Sequence, residues 1–235
     1  MSEITKNLSE VRERIGNACR RVGRSDDSVE LIAVSKTFPA EAVREVFEFG
    51  QLAFGESKLQ EAESKIALLP ASIRWHFIGR VQRNKVRKIL RNFEVIHAID
   101  SLRLASYTNE VARELGLFPK VFLQVNIGEE VSKGGFQQEV LRAEMDGLLK
   151  LDRLEIVGLM CLPPEDANVE SSRHWFAMLR VLRDSLEGEF GTKLPGLSMG
   201  MSGDFEIAIE EGATHVRVGS LIFGKRSYRV DGELG

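Results

Sequence analysis

The 235-residue sequence alternates eight times between a short apolar run and a helical pattern. Such runs, bounded by glycine, proline or polar residues, are typical of buried strands. The predicted strands cover residues 30–34, 52–54, 73–78, 95–99, 120–127, 156–161, 196–199 and 215–218. Helical patterns follow at residues 40–49, 59–69, 84–90, 102–115, 140–149, 169–186 and 205–211, with a last turn before Gly224. Because a helix after each strand supplies the crossover that parallel pairing needs, the pattern predicts a parallel α/β sheet.

Eight strand–helix units in a chain of this length predict a single closed (β/α)8 barrel of the TIM type. The alternative is an open doubly wound sheet, which usually carries a GxGxxG motif after its first strand. Here Ser35, Lys36 and Thr37 follow the first strand instead. An additional helix opens the chain, with Asn7 or Ser9 as its predicted cap, and residues 1–235 are predicted to form one domain.

Composition excludes several function classes. The net charge is −3 and the pI is about 5.9, so we expect no nucleic-acid partner. No apolar stretch reaches the ~20 residues of a membrane helix, so we expect no membrane association. Two isolated cysteines and four histidines without ligand spacing predict no metal, and the cysteines indicate a reducing, cytoplasmic compartment. A basic run allows an RNA surface as an alternative, although a solvated helix face explains it better; its members are Arg80, Arg83, Lys85, Arg87 and Lys88.

Lys36 is the first candidate functional residue. It stands directly after the predicted central strand at residues 30–34. A lysine held by a rigid scaffold is a candidate amine nucleophile, because burial lowers the pKa of an ammonium group. The alternative is a lysine whose charged end reaches solvent along its stem.

Two turns near the end of the chain predict a phosphate site. In a TIM barrel, the loops after the seventh and eighth strands usually bind phosphate. Ser202 precedes the seventh helix, and Gly219 and Ser220 follow the eighth strand. Glycine lets the backbone approach a ligand, and serine supplies a hydroxyl group. The alternative for Ser202 is a helix cap, a role that Asp204 is also placed to take.

Arg217 alternates with two valines in the eighth strand, so it is predicted to point into the barrel mouth. A buried arginine needs an acceptor, and an ion pair with Glu56 is the structural alternative. A lysine amine, a phosphate site and an inward arginine together indicate pyridoxal 5'-phosphate (PLP). Lys36 would form the Schiff base, and Arg217 would face the pyridine nitrogen and keep it unprotonated. A barrel enzyme that forms a Schiff base with a sugar phosphate is another alternative.

Six segments of the chain resemble the pyridoxal phosphate homeostasis protein family, a stand-alone relative of the alanine racemase barrel domain. They are AVSKT (33–37), FGESKLQE (54–61), WHFIGRVQRNK (75–85), GLMCL (158–162), SMGMSGD (198–204) and RVGSLIFGKR (217–226). The resemblance spans nearly the whole chain. It implies a TIM-type barrel and PLP as the cofactor.

The resemblance also implies roles for individual residues. Lys36 carries the cofactor, Arg217 meets the ring nitrogen, and Ser202, Gly219 and Ser220 hold the phosphate. The resemblance also implies that residue 57 contacts the cofactor. The family motif usually has asparagine at this position, whereas this chain has Ser57, whose shorter side chain would lose the contact or make it through a water. Members of the family are regarded as cytoplasmic, usually monomeric PLP carriers or regulators, which implies PLP-dependent apoenzymes as partners.

We expect a binding protein without a catalytic site. A racemase on this fold needs an acid/base group on each face of the substrate, and Lys36 serves only one. The sequence has two tyrosines, and both are poorly placed for the second role. Tyr107 lies in the predicted helix at residues 102–115, and Tyr228 lies in the tail. The alternative is a weak PLP-dependent amino-acid racemase or lyase that uses Lys36 with His76 or Cys161.

Overall fold

The structure is a computed structural model that describes residues 2–130, 133–164 and 169–224. Eight parallel strands pair in sequence order, and the first pairs with the eighth to close the barrel. The strands are β1 (Glu30–Val34), β2 (Ala53–Glu56), β3 (Arg74–Phe77), β4 (Val95–Ile99), β5 (Lys120–Val125), β6 (Glu155–Cys161), β7 (Gly196–Met201) and β8 (His215–Val218). The helices are α1 (Glu3–Arg21), α2 (Ala40–Glu48), α3 (Leu59–Ile66), α4 (Val86–Asn92), α5 (Leu102–Leu115), α6 (Gln138–Leu149), α7 (Val169–Phe190), α8 (Phe205–Glu210) and α9 (Ser220–Phe223). The predicted TIM-type barrel is therefore confirmed.

Helix α1 covers the outside of the barrel, where its first and last strands meet, and contacts α2, α8 and α9. Its apolar side chains recur every three or four residues, and Leu8, Val11 and Ile15 are buried on this face. The predicted caps are wrong. Ser2 caps the helix by accepting a hydrogen bond from the Thr5 amide, whereas Asn7 and Ser9 lie within it.

The barrel interior contains polar side chains where TIM barrels usually pack branched apolar ones. Four of them are at most 4% exposed: His76, His97, Ser198 and Arg217. They lie on four different strands, β3, β4, β7 and β8, and all face the barrel axis. This polar interior connects to the candidate site.

Some predicted boundaries change. Strand β7 extends to Met201, beyond the predicted end at residue 199, and a 3-10 turn at Arg83–Lys85 precedes α4. The described helices are each too short or too polar to cross a bilayer. Residues 225–235, including Tyr228, lie outside the described residues, so the proposed extent of the domain to residue 235 stays a prediction.

Candidate functional site

A cavity of about 350 Å³ opens at the carboxyl ends of the strands, where TIM barrels place their functional sites. It is lined by Val34, Lys36, Phe38, Ile78, Leu162, Met201, Ser202, Gly203, Arg217, Gly219, Ser220 and Gly224. Five of the six predicted site residues are therefore brought together around one cavity. The apolar part of its lining, such as Ile78 and Leu162, was not predicted from the sequence.

Lys36 lies two residues beyond the end of β1 and is half-buried. The Phe38 amide donates to the Ser35 carbonyl over 3.1 Å and so closes a turn around Lys36. The lysine consequently reaches the cavity from a compact turn rather than from a long loop.

The two predicted phosphate turns contact each other directly. The Gly219 amide donates to Ser202 Oγ over 3.3 Å, which joins the turn after β7 to the turn after β8. Gly219 also packs closely against the end of β1, since a Cβ atom there would lie 3.0 Å from the Val34 carbonyl oxygen. The absence of a side chain at Gly219 permits this contact between β8 and β1. Of the two candidate caps for α8, Asp204 occupies the cap position and Ser202 does not. The Asp204 side chain makes no capping hydrogen bond and accepts instead from the Met201 amide over 2.7 Å.

Arg217 points into the barrel, as predicted, but its partners are neutral. Its two terminal nitrogens donate to Ser198 Oγ over 2.6 Å and to the Cys161 carbonyl over 3.1 Å. The alternative of an ion pair with Glu56 is wrong. Glu56 Oε1 accepts instead from Lys65 Nζ over 2.7 Å. Burial lowers the pKa of the Arg217 guanidinium, yet arginine remains charged in proteins.

A hydrogen-bonded chain leads from Arg217 into the barrel interior. His97 Nδ1 lies 2.8 Å from Ser198 Oγ, and His97 Nε2 lies 3.0 Å from His76 Nδ1. Because arginine only donates, the Ser198 hydroxyl accepts from it. We assign His97 the tautomer protonated at Nε2, in which Nδ1 accepts from the Ser198 hydroxyl. His97 then donates from Nε2 to His76, whose own Nε2 lies 3.9 Å from Glu30 Oε2. The chain thus runs from a fixed donor towards a carboxylate.

Electrostatics agree with this direction, which requires both histidines to be neutral. Burial lowers the pKa of His76 to about 4 and that of His97 well below its usual value. Burial raises the pKa of Glu30, but the hydrogen bond from His215 and the charges nearby outweigh burial and lower that pKa to about 2. Glu30 therefore remains a carboxylate beside the far end of the chain, although 3.9 Å is too long for a hydrogen bond from His76 Nε2.

Comparisons with known proteins agree with the resemblance. The family model for the alanine racemase N-terminal domain matches residues 4–227. The pyridoxal phosphate homeostasis protein of Aquifex aeolicus (strain VF5) is 43% identical over 224 residues, which cover 95% of this chain and 98% of that protein. The chain belongs to the pyridoxal phosphate homeostasis protein family. The Pseudomonas aeruginosa protein of the same name is 44% identical over 230 residues, with 97% and 98% coverage.

A solved structure supports both the fold and the family. PipY of Synechococcus elongatus PCC7942, determined with PLP bound, is 38% identical to this chain and superposes with a TM-score of 0.84. The match covers 94% of this chain and 100% of the PipY chain. A protein that is 38% identical to this chain and has the same barrel therefore binds PLP.

Three sequence-predicted residues are not brought to the cavity. The described lining does not include Ser57, whose carbonyl packs against Gly79, one residue beyond Ile78. His76 belongs to the buried chain described above. Cys161 is fully buried, and burial raises the pKa of its thiol to about 12.

Two other candidates have different surroundings. Tyr107 lies on α5, and the Arg83 guanidinium carbon lies over its ring, 4.2 Å from the centre of the ring. In the basic run, Arg87 pairs with Glu114, and Lys88 pairs with Glu63 over 3.4 Å, as on an ordinary solvated surface. Among residues 2–130, 133–164 and 169–224, no group of three or more His, Cys, Asp and Glu is arranged to hold a metal ion.

Proposed function

We propose that this protein binds PLP in the barrel-mouth cavity and holds it as a Schiff base on Lys36, as part of intracellular PLP homeostasis. The observation that carries the proposal is the shared lining of one cavity by Lys36, Arg217 and the two turns at Ser202 and Gly219–Ser220. PLP supplies an aldehyde, with which the Lys36 amine condenses with loss of water. The volume of about 350 Å³ lies within the ~300–1,000 Å³ typical of small-molecule sites.

The two joined turns are the proposed phosphate site. Ser202 and Ser220 have hydroxyl groups at the cavity, and Gly219 allows the backbone to approach a ligand. Arg217 adds a buried positive charge whose hydrogen bonds go to neutral acceptors. The cavity is therefore complementary to an anionic cofactor.

Arg217 also bears on what the cofactor does in this site. A guanidinium group only donates hydrogen bonds, so a pyridine nitrogen facing it acts as an acceptor and stays unprotonated. An unprotonated ring withdraws electrons weakly and supports carbanion chemistry poorly. This favours storage or transfer of PLP over catalysis.

Among the described residues, the two candidates for a second acid/base group of a racemase or lyase do not line the cavity. His76 and Cys161, the candidates for a second acid/base group, are buried away from the cavity lining. We therefore propose that the protein is not an enzyme. The names of its relatives, which describe homeostasis rather than a reaction, support this proposal.

Several finer proposals accompany this function. We propose that residues 1–235 form one PLP-binding barrel domain that acts as a monomer, with PLP-dependent apoenzymes as partners and no nucleic-acid or membrane partner. Its two buried free cysteines support a cytoplasmic location. The proposed contact of Ser57 with the cofactor rests on the family resemblance alone.

The function is tested by titrating the purified protein, freed of cofactor, with PLP and then assaying the loaded protein with a panel of amino acids. We expect one PLP bound per chain, with no racemisation, elimination or decarboxylation above the rate of free PLP. Absence of saturable PLP binding would overturn the cofactor proposal. Turnover that is lost in Lys36→Ala would overturn the non-catalytic proposal and support the racemase or lyase.

A further inference from the structure

The backbone on both sides of Lys36 is tied to other elements. The Ser35 carbonyl accepts from Lys65 Nζ over 2.7 Å, and the Thr37 amide donates to the Glu61 carboxylate. Glu61 and Lys65 both lie on α3. One helix thus contacts the residue before Lys36 and the residue after it.

Thr37 has a conformation that needs such support. Its φ is 72°, in the left-handed region. A β-branched residue is a genuine outlier there, because its side chain crowds the backbone. Strained residues of this kind persist only where surrounding contacts hold them, and they cluster at ligand sites.

Lys65 is the centre of the supporting contacts. Its ammonium group donates to the Ser35 carbonyl, to Glu56 Oε1 over 2.7 Å and to Glu61 Oε1 over 2.8 Å, which uses all three of its N–H donors. Lys65 is 4% exposed and Glu56 is fully buried. The Ser35 hydroxyl also donates to Glu56, over 2.6 Å.

We propose that Glu61 and Lys65 are positioning residues that hold the Lys36 turn in its left-handed conformation and so present the Lys36 amine to the cavity. The inference rests on the proposed function of Lys36. Without the Glu61 carboxylate, the turn relaxes at Thr37 and the amine leaves its position for part of the time. PLP binding then weakens, although neither residue touches the cofactor.

Glu61 is the better residue to change, because its side chain is 25% exposed. Replacing Glu61 leaves Lys65 paired with Glu56 and Ser35. Replacing Lys65 instead would leave the buried Glu56 carboxylate without its cation and risks unfolding the protein. The variants are Glu61→Ala, Thr37→Gly and the double variant. Glu63→Ala is the matched control, since Glu63 lies on the same helix and pairs with the exposed Lys88.

The measurements are PLP affinity, taken well below the unfolding temperature, and amide hydrogen exchange of residues 35–38 in the protein without PLP. We expect Glu61→Ala to weaken PLP binding about tenfold, as expected for a lost charge-assisted hydrogen bond, and to speed exchange in this segment. Glu63→Ala should do neither. Glycine adopts a positive φ without strain, so a Thr37→Gly turn does not need the Glu61 carboxylate. In that background, Glu61→Ala should weaken PLP binding by at most about threefold.

Equal losses of affinity in the two backgrounds would overturn the inference, as would unchanged exchange and affinity in Glu61→Ala. A failure of the proposed function looks different. In that case the wild-type protein itself forms no covalent PLP adduct at Lys36, while the exchange measurement still tests whether Glu61 holds the turn.

Discussion

Arg217 is the residue whose surroundings most distinguish this site. A buried guanidinium would ordinarily be paired with a carboxylate, but this one donates to a hydroxyl and a backbone carbonyl. Its position is therefore defined by Ser198, which is in turn fixed by His97. The polar chain in the barrel interior keeps a positive charge oriented at the mouth without neutralising it.

The contribution of Ser198 to this arrangement is testable. Ser198→Ala leaves a nitrogen of Arg217 and His97 Nδ1 without their partner, which should lower the free energy of unfolding by ~1–3 kcal/mol. PLP affinity should fall as well. Ser9→Ala is the control, because this hydroxyl donates to the Thr5 carbonyl within its own helix, α1, and a change in the free energy of unfolding within ~0.5 kcal/mol is expected. Urea unfolding of both variants checks the prediction, and an unchanged stability of Ser198→Ala would contradict it.

The buried histidines predict a stability that falls in mild acid. The pKa of His76 is about 4 in the folded protein, against an ordinary value of 6.5. As the pH falls below about 6.5, the unfolded chain takes up a proton that the folded chain does not, so stability decreases until the pH reaches about 4. The loss approaches ~3 kcal/mol for His76, at ~1.4 kcal/mol per pH unit, and His97 acts in the same direction.

Urea midpoints between pH 7 and about pH 4.5 measure this effect without a contribution from Glu30, since the stability that its lowered pKa provides is lost only as the pH falls below its ordinary value of 4.5. His76→Gln should flatten the dependence on pH. His174→Gln, at an exposed position on α7, should not change it. The raised pKa of the buried Glu56 acts in the opposite direction in both proteins and cancels in their comparison. The same pH dependence in the wild-type protein and His76→Gln would therefore show that His76 is not buried in neutral form.

Among the elements, β6 and β7 approach each other closely at two glycines. A Cβ atom at Gly158 would lie 1.9 Å from the Gly196 carbonyl oxygen, and the backbone there cannot yield without breaking the strand pairing. We expect Gly158→Ala to lower the free energy of unfolding by at least ~2 kcal/mol. Gly188→Ala, in the open interior of α7, should instead raise it by ~0.5–1 kcal/mol. Chemical denaturation compares the two, and equal effects would contradict the close packing.

The order of the elements could be predicted from the sequence, because each strand carries its own apolar run and each helix its own periodicity. Boundaries set by tertiary contacts could not. Asn7 was a plausible cap, but its amide donates to the Ile222 carbonyl far along the chain, over 3.2 Å. Strand β7 extends to Met201 because it pairs there with Arg217 of β8.

The site was partly predictable for a similar reason. Lys36, Arg217 and the two turns follow from the rule that strands deliver their carboxyl ends to one face. Glu61 and Lys65 could not be predicted as part of the site, because a helical charge pair normally faces solvent and only the packing of α3 brings this pair to the Lys36 turn. Alternation in β4 could have placed His97 inside the barrel, but its partners on other strands depend on the register of the closed sheet.

For the whole molecule, cofactor binding should be linked to stability. A ligand that binds only the folded state at 100 times its dissociation constant adds ~2.7 kcal/mol. For a chain of this size, that corresponds to a rise in Tm of about 5–10 °C. Pyridoxine 5'-phosphate, which keeps the ring and the phosphate but lacks the aldehyde, should give a smaller rise. An equal rise with both ligands would contradict covalent attachment.

The central claim is that Lys36 of this barrel binds PLP covalently. The most direct measurement is borohydride reduction of the PLP-saturated protein, followed by peptide mass mapping, with Lys36→Ala treated in parallel. We predict a pyridoxyl adduct on the peptide that contains Lys36, and no adduct at that position in the variant. An adduct confined to other lysines, or none from the saturated wild-type protein, would contradict the account and indicate a different phosphorylated ligand for the cavity.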